Sequence, residues 1–161
     1  MQEQLAYLLL GSNIGDRRAN LLNATELLVL NGIKLLRQSR IYESAAWGKT
    51  KQAHFYNQCL KIRTPLSPVE LLDVCQAVEK KVGRVKREKW MEREIDIDIL
   101  FFDNHQLNSA RLTLPHPYII RRRFVLVPLN ELAPSLVHPV FQLPIDTLTN
   151  LCTDDLECFP I

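Results

Sequence analysis

The sequence predicts an α+β domain, with helices packed on one face of an antiparallel sheet. Short apolar, β-branched runs stopped by turn residues supply the strands, and two stretches with capping residues supply the helices. Their order, β-α-β-β-α-β, contains no repeat, low-complexity tract or linker, so residues 1–161 are expected to form a single domain.

The first strand is the apolar run from Ala6 to Gly11, halted by glycine. Ser12 to Asp16 is turn chemistry, and Asp16 is placed to cap a helix that stops at Asn31-Gly32. Ile33 to Tyr42 reads as the next strand, Glu43 to His54 as a surface loop, and Phe55 to Thr64 as a strand again. Ser67 caps the second helix and Pro68 takes its first position. Leu71, Leu72, Cys75, Val78 and Val82 form its apolar stripe, and Gly83 ends it. A basic loop from Arg84 to Arg93 then leads into a strand from Glu94 to Phe102. Beyond it, six prolines from Pro115 to Pro144 are expected to allow only short elements, with Phe124 to Leu129 as a last strand.

A hydrophobic fraction of 47% and a charged fraction of 24% are ordinary for a soluble globular protein. No apolar run approaches the roughly 20 residues that span a bilayer, and the N-terminus lacks a signal-peptide pattern, so a cytoplasmic protein without membrane contact is expected. A net charge of +2 lacks the basic excess usual for duplex DNA binding. The four cysteines show no CxxC spacing: Cys59 and Cys75 fall in apolar patterns as core residues, while Cys152 and Cys158 are candidates for exposed thiols.

The most informative stretch is Arg93-Glu-Ile-Asp-Ile-Asp-Ile-Leu-Phe. Strand alternation puts Asp96 and Asp98 on one face and Ile95, Ile97 and Ile99 on the other. The acids then sit about 6–7 Å apart at the backbone, close enough to share a hard cation such as Mg²⁺. Acids on a wet edge strand can also guard against aggregation, although edge protection more often uses Lys.

Arg84, Lys86, Arg87, Lys89 and Arg93 surround Trp90 in the loop that feeds this strand. Such a loop alone is read as solvated. Beside an acid pair it supplies what a polyphosphate needs, mobile cations around a metal. Gln76 and Glu79 share one face of the second helix, in a row with Leu72. Pro115 and Pro117 fix the backbone around His116, so its imidazole is expected to be aimed, with Arg111 and Arg122 adding charge nearby. His54, His105 and His138 lack such a setting and are read as surface or structural.

These residues resemble the hydroxymethyldihydropterin pyrophosphokinases. The resemblance runs from about Ala6 to Pro139 through Gly11-Ser-Asn-Ile-Gly-Asp16, Ser39-Arg-Ile-Tyr-Glu-Ser44 and Phe55-Tyr-Asn57. It continues in Gly83-Arg84, Trp90 with Arg93, Asp96-Ile-Asp98, and Leu114-Pro-His116-Pro with Arg122 and Phe124. It implies a ferredoxin-like fold and a monomer that moves pyrophosphate from ATP to 6-hydroxymethyl-7,8-dihydropterin, in folate biosynthesis and without a nucleic-acid partner. Asp96 and Asp98 would hold two Mg²⁺ ions, with Arg84 and Arg93 as catalytic partners. Leu72, Gln76, Glu79, Trp90, Ile99, Arg111, Thr113, His116 and Arg122 would complete the ATP site. Ser44, Ala45, Trp47, Asn57 and Trp90 would hold the pterin, its ring lying between Phe55 and Phe124. Lys86 and Arg87 both remain candidates for the second basic role in the loop, and the segment after Pro144 has no assigned role. Another Mg-dependent phosphotransferase or a nuclease would use the same acids but not the Phe55/Asn57/Phe124 set. An RNA-binding ferredoxin-like module would show aromatics on its central strands, where this chain carries acids and isoleucines.

Overall fold

The computed structural model describes residues 2–46, 53–85, 87 and 91–161. Strand β1 (Gln4–Ser12) lies between β4 (Phe55–Thr64) and β5 (Asp96–Phe102), antiparallel to both. β2 (Lys34–Gln38) and β3 (Tyr42–Ser44) pair in turn with β4, and β8 (Cys158–Pro160) pairs with β3. A small ribbon, β6 (Leu107–Asn108) with β7 (Thr113–Leu114), stands apart. Counted as one interrupted strand, β2 and β3 complete the βαββαβ order of a ferredoxin-like sheet.

Helix α1 (Arg17–Leu30) starts where the Asp16 carboxylate accepts the Ala19 N–H at 3.0 Å. Helix α2 (Pro68–Val82) starts at a complete capping box, Ser67 with Glu70, and ends at Gly83, whose φ of 120° favours glycine. Both pack on one face of the sheet, where Leu21, Ala24, Leu28, Leu71, Cys75 and Val78 meet Leu8, Leu10 and Ile62. No helix among the described residues is long and apolar enough to cross a membrane.

Two expectations are corrected. The stretch from Ile33 to Tyr42 is not one strand. It breaks after Gln38, where Ser39 exchanges bonds with Cys59: its N–H donates to the Cys59 carbonyl and its hydroxyl accepts the Cys59 N–H, each at 2.9 Å. The stretch from Phe124 to Leu129 is not a strand. It lies in helix α3 (Arg123–Leu132), whose apolar residues Val125, Leu126, Leu129 and Leu132 follow helical spacing. Pro128 sits inside this helix, and a single lost N–H has not prevented it. A further helix, α4 (Ile145–Leu151), packs beside α3.

These helices cover the second face of the sheet, which corrects a third expectation: helices lie on both faces and not on one. The register of β1 with β5 shifts between Tyr7 and Leu8, which puts Leu100 and Phe101 in the same core as Val125, Leu126 and Leu129. Ile97 and Ile99 point to the other side, against α1 and α2. Asp96 and Asp98 therefore face the α3 layer.

Ser39→Ala leaves the buried Cys59 N–H without its acceptor. Urea unfolding should show a loss of about 1–3 kcal/mol, and an unchanged midpoint would contradict this account of the strand break.

Candidate active site

Strand β1 sets the spacing of the site. Gly11 lies opposite Asn57 of β4 on one side and Asp96 of β5 on the other, and Leu9 lies opposite Asp98. With strands about 4.8 Å apart, the amide and the first acid stand roughly 10 Å apart across a single glycine. A Cβ on Gly11 would come within 3.2 Å of the Asn57 Oδ1 and 3.4 Å of the Phe55 ring. The residue is therefore small because two site residues lie over it.

Above this floor opens a cavity of about 540 Å³, including its mouth. It brings together Ser44, Ala45, Phe55, Asn57, Arg93, Asp96, Asp98, Arg122 and Phe124, which the sequence had pointed to, with Leu9, Gly11 and Met91, which it had not. The Asn57 amide N–H₂ donates to the Ser44 hydroxyl at 2.8 Å. That bond turns its carbonyl oxygen toward Gly11 and leaves it available as an acceptor. Trp47, Lys86 and Trp90 lie outside the described residues.

The acids are unequal. Asp96 accepts from Arg84 at 3.1 Å and from Arg93 at 2.7 Å, one arginine on each oxygen. Asp98 sits deeper in the wall. Burial, reinforced by the Asp96 charge, pushes its carboxyl up to about 8, against the pull of Arg122 and Arg93. Among the described residues no third His, Cys, Asp or Glu completes a metal cluster with them. A cation here would draw its remaining ligands from water or phosphate oxygens, which suits Mg²⁺ better than zinc.

Arg122 is buried, its guanidinium 4.6 Å from the Tyr118 ring centroid and 5.5 Å from that of Phe124. His116 accepts the Tyr118 N–H on Nδ1, and burial with the nearby Arg122 charge lowers its pKa to about 4. The imidazole is thus aimed, neutral at pH 7, and carries its proton on Nε2.

A second cleft adjoins the first across Arg84. Gln76, Glu79, Lys80, Arg84 and Arg87 line it. Glu79 accepts the Ile97 N–H of the outer edge of β5 at 2.8 Å and pairs with Arg84 at 2.9 Å. Burial raises the Glu79 pKa, against the lowering effect of these two partners. Arg87 grips Glu94 with two bonds of 2.8 Å. Arg111 reaches α2, donating to Asp73 and Gln76. Leu72 is part-buried on the same helix, Thr113 lies in β7, and the Ile99 side chain is core, so only its backbone can face a ligand. His138 is structural, as expected, accepting two backbone N–H groups on Nδ1.

Asn13 escaped the sequence reading except as turn chemistry. Its N–H donates to the Arg93 carbonyl, its side-chain oxygen accepts the Arg93 N–H, and its amide donates to the Ala53 carbonyl. It ties the end of the basic loop to the start of β4.

A sequence model described as 7,8-dihydro-6-hydroxymethylpterin-pyrophosphokinase matches residues 7–134. Two curated relatives are named 2-amino-4-hydroxy-6-hydroxymethyldihydropteridine pyrophosphokinase. The one from Aquifex aeolicus is 44% identical over 139 residues, 86% of each chain. The one from Methylorubrum extorquens is 47% identical over 133 residues, covering 82% of this chain and 84% of the relative. Among solved structures, the wild-type Plasmodium falciparum HPPK-DHPS with pteroate superposes with a TM-score of 0.72 at 19% identity. That match covers 93% of this chain but 42% of the longer one, and shows a shared fold.

The burial of Asp98 has a measurable cost. Its folded pKa of about 8 exceeds the ordinary 3.8, so the folded state holds the proton more tightly and loses stability as pH rises between them. In metal-free buffer, Asp98→Asn should melt above the wild type by a margin that widens from pH 5 to pH 8, at about 2–4 °C per kcal/mol. A margin that stays constant or narrows would contradict the burial.

Proposed function

This chain belongs to the 7,8-dihydro-6-hydroxymethylpterin-pyrophosphokinase family, and from that premise we propose how its residues share the work. The activity of the family is ATP-dependent transfer of a pyrophosphoryl group to hydroxymethyldihydropterin in folate biosynthesis. One observation carries the assignment of residues: a single cavity is lined by two aromatic rings, an amide, two acids and two arginines, with Asn57 and Asp96 on opposite sides of Gly11.

The pterin ring lies between Phe55 and Phe124, a slot suited to a flat heteroaromatic. The free Asn57 carbonyl oxygen, held by Ser44, accepts from the amide-like edge of the ring, beside Ala45. This places the hydroxymethyl group toward Asp96 and Asp98. ATP enters along the second cleft, with Gln76, Glu79 and Arg111 on the α2 side, Leu72 and Thr113 flanking, and the Ile99 backbone at the sheet edge. Arg87 lines that cleft and can take the second basic role in the loop.

Asp96 and Asp98 would hold Mg²⁺, two ions on this reading. A metal bound there would supply charge neutralisation of the phosphate chain and would make the substrate hydroxyl more acidic. Arg84 and Arg93 leave Asp96 for phosphate oxygens as the nucleotide arrives, and Arg122 and the neutral His116 donate from the facing wall. The hydroxyl oxygen attacks the β-phosphorus and its proton is released. The bond from that phosphorus to the α–β bridging oxygen breaks, and AMP leaves with the oxygen.

Incubation with ATP and hydroxymethyldihydropterin should yield AMP and no ADP; ADP as product would exclude this reaction. Asp96→Ala and Asp98→Ala should each retain less than about a tenth of the rate, measured as AMP release at saturating substrates. Arg93→Ala should slow the single-turnover step more than it weakens ATP binding, and the reverse order would remove it from the transition state.

A further inference from the structure

Residues 154–161 lie beyond the family match, which ends at residue 134, and the reaction described above uses none of them. They nevertheless join the two walls of the pterin slot. At one end, the Asp154 carboxylate accepts the Arg123 N–H at 3.0 Å, and the Asp154 carbonyl accepts from the Arg123 Nε at 2.9 Å. Arg123 is the first residue of α3, and the helix has no cap of its own because Arg122 precedes it. Asp154, 31 residues away, therefore serves as the cap. Arg122 and Phe124 flank this point and line the cavity.

At the other end, β8 runs along β3, with Cys158 opposite Ser44 and Phe159 opposite Glu43. The Ile161 N–H closes the pairing on the Ile41 carbonyl at 3.0 Å. Ser44 is the residue that orients Asn57. Between the two ends, Leu156 and Phe159 share a groove with Ala45 and His54.

We propose that residues 154–161 form a strap that sets the width of the pterin slot, with Asp154 as a positioning residue for Phe124. The inference rests on the pterin slot assigned above. Among the described residues the strap makes no hydrogen bond to the acid pair or to the residues lining the second cleft. Its loss should thus weaken pterin binding and leave the nucleotide side largely intact.

Steady-state kinetics on the full chain test this. Asp154→Ala removes a helix cap and should raise the pterin KM about fivefold while the ATP KM stays within about twofold. A chain ending at Thr153 should move the same parameter further. Equal changes in both KM values, or a fall in kcat with the pterin KM unchanged, would overturn the strap. Phe124→Ala separates the two levels of the argument. If it leaves the pterin KM unchanged, the slot assignment falls and the strap with it. If it raises the pterin KM while Asp154→Ala does not, the strap alone falls.

Discussion

One strand position organises the site. Gly11 of β1 faces Asn57 on one neighbour and Asp96 on the other, so the floor of the cavity is a single residue without a side chain. The spacing between the ring end and the acid end is the spacing of two strand steps, roughly 10 Å. No loop sets that distance. It follows from the backbone pairing of β1 with its two neighbours, whose register is fixed by the buried faces of the sheet. Asn13, two residues on, then holds the Arg93 and Ala53 backbones, so the two flanking loops leave the sheet from fixed points.

On this frame the chain maintains an electrostatic conflict. Asp96 is satisfied by Arg84 and Arg93, whereas Asp98 is part-buried beside it and desolvation makes it resist ionisation. Replacing these groups with apolar residues would relieve the protein, as with most buried charge clusters. On the function proposed above, a cation with phosphate oxygens would relieve this conflict by taking the acids and releasing the arginines. On that proposal the pairs seen here keep both arginines within reach of the phosphate chain before it binds.

The acid pair was legible in sequence because alternation within one strand depends on nothing distant. The capped helices were legible for the same reason, since Asp16, Ser67 and Gly83 act within a single turn. What was missed depended on partners far along the chain. Gly11 reads as a strand terminator until Phe55 and Asn57 are seen above it. The break at Ser39 needs Cys59, twenty residues on, to make it stable. The helix at Arg123 was misread because Pro128 argues locally against it, while the apolar face of Val125, Leu126 and Leu129 finds its core only in tertiary contact with Leu100 and Phe101.

That misread helix is the element which turns an acidic strand into a site. Without the α3 layer, Asp96 and Asp98 would project from the sheet into water, screened and weakly coupled to any ligand. With it, Arg122 and Phe124, from one helix start, line the same cavity as the acids. The helix is tied to β3 at both ends. Near its C-terminus, Glu131 accepts from the Tyr42 hydroxyl at 2.6 Å and from the Arg40 backbone, while Arg37 donates to the Leu132 carbonyl. At its N-terminus the link runs through Asp154 and β8. A helix anchored only at the Glu131 end could pivot about it, and the displacement would be largest at Phe124. The second anchor therefore stands where small movements would most change the slot.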